Sequence, residues 1–269
     1  MKNFLLRRTN NRYFYISLAL ISILPFFNIL SSFQQKLVQN QYPEKLDLAA
    51  TPYTLWLGNS YSSGYSVLFF LILPIIVSIP TISYFSEDRL SGFHFFSRYF
   101  LRDTKYKTAY FLMALCTGFT LPVFILIINF LTLFLVWPNL PMDAIYNMGI
   151  QLDDSSMLWA NLFYQHPFLS TILNIILIGV YGSIFALIAL TSALYITKPF
   201  VCMIVPFVFQ LLLGFLSPIV NKRALSPAEF LSLGITSGVP NLFYVFLLPI
   251  VITTICFILI KNRDLNYEK

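Results

Sequence analysis

Six apolar runs, each long enough to cross a lipid bilayer, occupy most of this 269-residue chain and constrain its fold more than any motif does. A helix needs roughly 20 apolar residues to cross about 30 Å of hydrocarbon. In that medium every backbone N–H and C=O must find its partner inside the protein, which favours helices. The runs lie at about 14–33, 66–84, 108–136, 168–195, 200–220 and 242–260, and the third is long enough to tilt or to project beyond the bilayer. Charged residues make up 10% of the chain and hydrophobic ones 58%, whereas a soluble domain carries about 25% charged residues. The expectation is an all-α polytopic integral membrane protein: one membrane domain with six transmembrane helices. The abundance of Phe, Ile, Asn, Lys and Tyr points to an AT-rich genome and so to a low-GC bacterium and its plasma membrane.

Basic residues set the expected orientation, because Lys and Arg accumulate on the cytoplasmic side of short loops. With the N-terminus inside, 13 of the 17 fall on the cytoplasmic side, and only Lys36, Lys45, Lys222 and Arg223 lie outside. Both termini are therefore predicted to be cytoplasmic. The net charge of +6 is topological on this reading and no nucleic-acid partner is expected. The N-terminal run resembles a signal peptide, but it is long and no small-residue cleavage site follows it, so an uncleaved first span is expected.

Chemistry inside the membrane needs titratable groups at depth. No Asp, Glu, Lys or Arg lies well inside any run, and the two histidines, His94 and His166, lie outside the apolar cores. Cys116, Cys202 and Cys256 fall in apolar runs with no metal-ligand spacing. No catalytic residue and no metal site are assigned. Ser183 beside Gly182 lacks a histidine to activate it, and Gly179, Gly182, Ser183 and Ala186 are read as a small-residue face for close helix packing. Asn28, Asn129 and Gln210 are candidates to line a translocation path, with interhelical hydrogen bonding as the competing reading. The chain has no glycine-rich loop ending in Gly-Lys-Ser/Thr, so ATP and Mg would have to bind elsewhere.

The most heavily charged insert between adjacent spans runs over 85–107. Ser86 is expected to cap a helix, with Glu87 and Asp88 in its first turn. Leu90, Phe93, Phe96 and Phe100 recur at helical spacing, Gly92 permits a bend, and Arg98 and Arg102 lie one turn apart. Tyr106 and Lys107 lead into the third span. Periodicity alone leaves two readings open: a helix lying on anionic lipid, or one that docks on a protein.

This stretch resembles the loop between the second and third spans of ABC type-2 exporter permeases. An acidic residue, a glycine and a basic, tyrosine-containing segment lead there to a lysine at the start of span three. Glu87, Gly92, Arg98, Tyr106 and Lys107 stand in those places, and the six-span layout and basic N-terminal stretch match too. The resemblance implies a coupling helix that includes Asp88, Phe93, Phe96 and Arg102 and docks on a separate cytoplasmic ATPase subunit. It also implies an amphipathic elbow over 1–12 that carries Arg7, Arg8 and Arg12 along the inner leaflet, against membrane lipids. A second permease subunit, identical or paralogous, would complete the transporter, with spans two and five at the interface. Cargo in this family includes peptides, antibiotics, lipids and polysaccharides. ATP and Mg would sit on the partner ATPase, and no cofactor on this chain.

Two outer features remain. Ser226-Pro227-Ala228-Glu229 reads as a capping box with proline at the first helical position, placing a short helix, re-entrant or superficial, within 224–240. Tyr42, Tyr53, Trp56, Tyr61, Trp159 and Tyr164 are read as interfacial anchors. The rival to a transporter is a non-transporting immunity or scaffold protein acting against a bacteriocin or peptide.

Overall fold

The six apolar runs all become helices. The computed structural model describes residues 12–41, 50–59, 64–92, 103–140, 142, 158–219, 225–233 and 241–262. The helices are α1 (Arg12–Gln41), α2 (Pro52–Leu55), α3 (Tyr65–Leu90), α4 (Asp103–Val136), α5 (Ala160–Gln165), α6 (Pro167–Ala193), α7 (Pro199–Leu216), α8 (Pro227–Leu231) and α9 (Leu242–Asn262). Six of these (α1, α3, α4, α6, α7 and α9) are long and apolar enough to cross a membrane. Among the described residues the only extended pairing is a single parallel bridge between Asn59 and Leu233.

The bundle is built around α6. In its apolar stretch 72% of residues are buried, against 17% in α7, 22% in α9 and 28% in α1. The fold is therefore one central helix with its neighbours packed around it, and outer helices that leave Phe200, Phe215, Phe243 and Ile250 on the surface. α4 makes the closest approach to α6. From Ala109 to Phe130 its burial repeats every four residues, two buried, one half-buried and one exposed. A four-residue step overshoots a turn of 3.6 residues by about 40°, so the buried stripe winds around α4. Its partners change accordingly along its length. Tyr110 meets α3 and Phe111 meets α9 near its start, Gly118 meets α6 in the middle, and Asn129 meets α1 towards its end.

The α4–α6 contact is close because both backbones lack side chains there. A Cβ on Gly118 would lie 2.6 Å from the Gly182 carbonyl oxygen and 2.9 Å from the Ala186 Cβ, and one on Gly179 would lie 2.9 Å from the Phe119 ring. The Ser183 hydroxyl donates to the Leu115 carbonyl at 2.9 Å. Lipid supplies no hydrophobic drive for helix association, so such packing carries the contact.

Prolines interrupt five of the six long helices, and each orphans the carbonyl four residues earlier. Two of these carbonyls accept a hydrogen bond from a neighbouring helix. Gln210 of α7 donates to the Phe70 carbonyl freed by Pro74, at 3.0 Å. Tyr181 of α6 donates to the Val245 carbonyl freed by Pro249, at 2.8 Å. The Ser192 hydroxyl of α6, which donates to the Ala189 carbonyl of its own helix at 2.6 Å, lies 3.4 Å from the Cys202 carbonyl freed by Pro206. Intraspan prolines are tolerated where a neighbour satisfies the freed group.

Several expectations require correction. Ser86 does not start a helix. α3 continues through Ser86, Glu87 and Asp88 to Leu90, since nothing after Pro80 interrupts its hydrogen-bond ladder before Gly92, whose φ of +68° ends it. The left-handed conformation suits glycine at a helix C-terminus. Tyr53 and Trp56 are not interfacial. They are 4% and 0% exposed, in a segment (50–59) that folds back into the bundle. At Ser226 a helix does start, with Pro227 at its first position, but the capping box is not formed. The Ser226 hydroxyl instead donates to the Gln210 carbonyl, and the Glu229 carboxylate accepts from Ser217.

Candidate functional site at the insert end of the bundle

Consecutive long helices alternate in direction, so the bundle has two ends. The first turn of α1, the last turns of α3 and α9 and the first turns of α4 meet at one of them. The two neighbouring carboxylates of α3 face different helices there. Glu87 accepts an ion-paired hydrogen bond from Arg12 and a hydrogen bond of 2.6 Å from the Tyr13 hydroxyl, both on α1. The Arg12 guanidinium lies 4.9 Å from the centre of the Tyr13 ring, which packs edge-on against Tyr84 at 5.8 Å. Asp88, about 100° further around α3, accepts from the Tyr110 hydroxyl of α4. Tyr110 is flanked by Phe85 at 5.4 Å and Tyr106 at 5.0 Å. The last turn of α3 is thus fastened to α1 through one carboxylate and to α4 through the next.

Lys107 completes the set. It is 8% exposed, and its ammonium donates to the Lys261 carbonyl, in the last turn of α9, at 3.3 Å. The last carbonyls of a helix lack intrahelical partners and carry the negative end of its dipole, so a cation is favoured there. Leu90, the last residue of α3, is 86% exposed.

The structure therefore brings Arg12, Glu87, Asp88, Tyr106 and Lys107 to one end, with Gly92 closing α3. Arg12 is the first described residue and belongs to α1. Arg7, Arg8, Phe93, Phe96, Arg98 and Arg102 lie outside the described residues. Tyr13 and Tyr110 were not anticipated. The signal for Tyr110 was its position four residues after Tyr106, on the same helix face; Tyr13 carried only its adjacency to Arg12.

Asn28, Asn129 and Gln210 lie elsewhere, buried at 0%, 0% and 1% exposure. Asn129 donates to Asn28 Oδ1 at 3.1 Å and to the Pro25 carbonyl at 3.2 Å, and accepts the Leu57 N–H at 3.0 Å. It ties α1, α4 and the 50–59 segment together about 10 Å inside the end of α4. That segment meets α8 in turn: the Leu233 N–H donates to the Gly58 carbonyl at 2.9 Å, and Ser66 and Ser232 hydroxyls lie 3.3 Å apart. Phe230 of α8 reaches the Tyr181 ring at 5.1 Å. These two segments clasp each other inside the end of the bundle opposite the insert. Among the described residues no group of three or more His, Cys, Asp or Glu is placed to hold a metal ion.

Comparison of the chain with models of protein families, with curated proteins and with solved structures gives no match.

Proposed function

We propose that this chain is the membrane-spanning permease subunit of an ATP-driven exporter of the ABC type-2 kind, with the insert end in the cytoplasm and ATP hydrolysed on a separate subunit. The observation that carries the reading is the joining of Arg12 and Tyr13 to Glu87. The N-terminal stretch and the insert are separate in sequence, and this contact makes them one mechanical unit. A displacement of the insert by an ATPase is passed to α1 through Glu87 and to α4 through Asp88, and rigid helices carry it across the bundle. An ion pair as exposed as Arg12–Glu87, whose side chains are 69% and 40% exposed, is screened by water and adds little to stability. Its value lies in fixing register, so its removal leaves the fold intact. Two such subunits with two ATPases form the transporter, and the exposed Phe200 and Phe215 of α7 suit an amphipathic peptide, antibiotic or lipid-like cargo.

The test is purification of the native protein with its genomic neighbours. A nucleotide-binding subunit should co-purify and its ATPase should be stimulated. Glu87→Ala should lower that stimulation severalfold with no loss of thermal stability, and Gly92→Trp should remove it. If no nucleotide-binding subunit accompanies the native protein, the immunity or scaffold role takes its place.

A further inference from the structure

Between α1 and α4 lies a groove of about 390 Å³, walled by residues from Ser22 to Ile29 on α1 and from Ile125 to Asn129 on α4. That volume falls within the range of about 300–1,000 Å³ typical of small-ligand sites. Its lining is almost wholly apolar and includes no charged residue. The two polar residues in the wall are already committed. The Ser22 hydroxyl donates to the Ala19 carbonyl at 2.8 Å. Asn129 gives its amide protons to Asn28 Oδ1 and the Pro25 carbonyl. The groove therefore offers an occupant neither a charge nor a free donor, and a polar group buried there would lose its hydration uncompensated. Its mouth is flanked by Ile23, Phe26 and Ile128, which are 47%, 58% and 43% exposed on the surface that meets hydrocarbon in a six-span membrane protein.

Depth narrows the occupant further. Arg12 and Lys36 bracket an uncharged stretch of α1 that is about 36 Å long at 1.5 Å per residue, close to the hydrocarbon thickness of about 30 Å. The α1 wall of the groove begins about 10 Å below Lys36 and ends about 21 Å below it. It straddles the bilayer midplane, where lipid headgroups do not reach. Spread over that length, the volume gives a cross-section of about 40 Å², half that of a helix 10 Å across. A helix of a second copy does not enter such a groove, but a flexible hydrocarbon chain does, and it restores the dispersion contacts that unfilled walls forfeit. We infer that the groove is a binding site for one acyl chain of a membrane phospholipid. The chain descends from the leaflet at the Lys36 end, its distal carbons held between Phe26 and Ile128. Recognition is by chain and depth, not by headgroup. The inference needs only the membrane location of the six helices, not the permease reading.

The test is photolabelling of the intact protein in vesicles of phosphatidylcholine or phosphatidylglycerol that carry a diazirine near the end of one acyl chain. Peptides of α1 and α4 that hold the groove residues should be labelled severalfold more than the exposed face of α7 around Phe215, which is 72% exposed. The two headgroups should give equal labelling. A diazirine beside the glycerol should not label the groove. Ile128→Trp, which fills the groove, should remove the excess, and Phe215→Trp should leave it unchanged. Ile23→Trp fills the groove from the α1 side and should act alike, so the test survives if Ile128→Trp does not fold. Equal labelling of groove and α7, or an excess that persists in both filling variants, overturns the site. A strong preference for phosphatidylglycerol would make it a headgroup site and overturn recognition by chain. A disulfide-linked dimer gained by Ile128→Cys and absent from the native protein would place a second copy on this face and overturn the lipid assignment.

Discussion

Gln210 and Tyr181 each donate to a carbonyl that a proline in another helix has orphaned. This pairing explains why a buried glutamine is tolerated in α7. It also turns a polar residue that could have lined a path into one that closes a gap in α3. The account predicts coupling between residues far apart in sequence. Gln210→Leu should cost about 1–2 kcal/mol in a protein with Pro74, since a buried carbonyl loses its donor. The cost should fall by at least about 0.5 kcal/mol when Pro74→Ala restores the N–H within α3. Unfolding in detergent of the two single variants and the double variant measures this, and additive effects would contradict it. At the α4–α6 contact, Gly118→Val should destabilise by about 1–3 kcal/mol by overpacking against the α6 backbone. Gly64→Ala, where a Cβ would meet nothing within 4 Å, should be close to neutral in the same assay. The small residues on α6 were legible because they repeat on one face. Their counterpart Gly118 was not, since a lone glycine gives no sign of which helix it faces.

Helix ends and short segments show where local pattern stops being informative. The polar run at Ser86 has the composition of a helix start. It became a helix end because α3 carries on past Pro74 and Pro80 and stops only at Gly92, whose φ is positive. Segment 50–59 looks like a surface loop, too short and too polar to span. Its burial depends on Asn129, more than seventy residues away, which accepts the Leu57 N–H, and on Leu233, which donates to Gly58. Long-range partners of this kind leave no periodicity to read. The clasp predicts slow amide exchange at Leu57 and Leu233, comparable with mid-helix amides of α6. Exchange at the rate of an open loop would contradict the buried arrangement, and Asn129→Ala should speed Leu57 selectively.

At the scale of the molecule, the six long helices followed from apolar length alone, because a segment of that length and composition has few alternatives to a helix. Their arrangement around α6 did not, since apolar faces that meet lipid and apolar faces that meet protein have the same composition. The insert end joins what sequence reading had kept apart: Arg12 and Tyr13 of α1, Glu87 and Asp88 of α3, and Tyr110 of α4. The functional proposal rests on that junction receiving an ATPase. Leu90 and Leu135 are 86% and 87% exposed, at opposite ends of the bundle, and so form a matched pair of reporters. A photocrosslinking residue placed in cells at each position gives the most direct test. Leu90 should capture a subunit that binds ATP, Leu135 should not, and Glu87→Ala should reduce the yield at Leu90. Capture of an ATP-binding subunit at Leu135, or at neither position, would contradict the account.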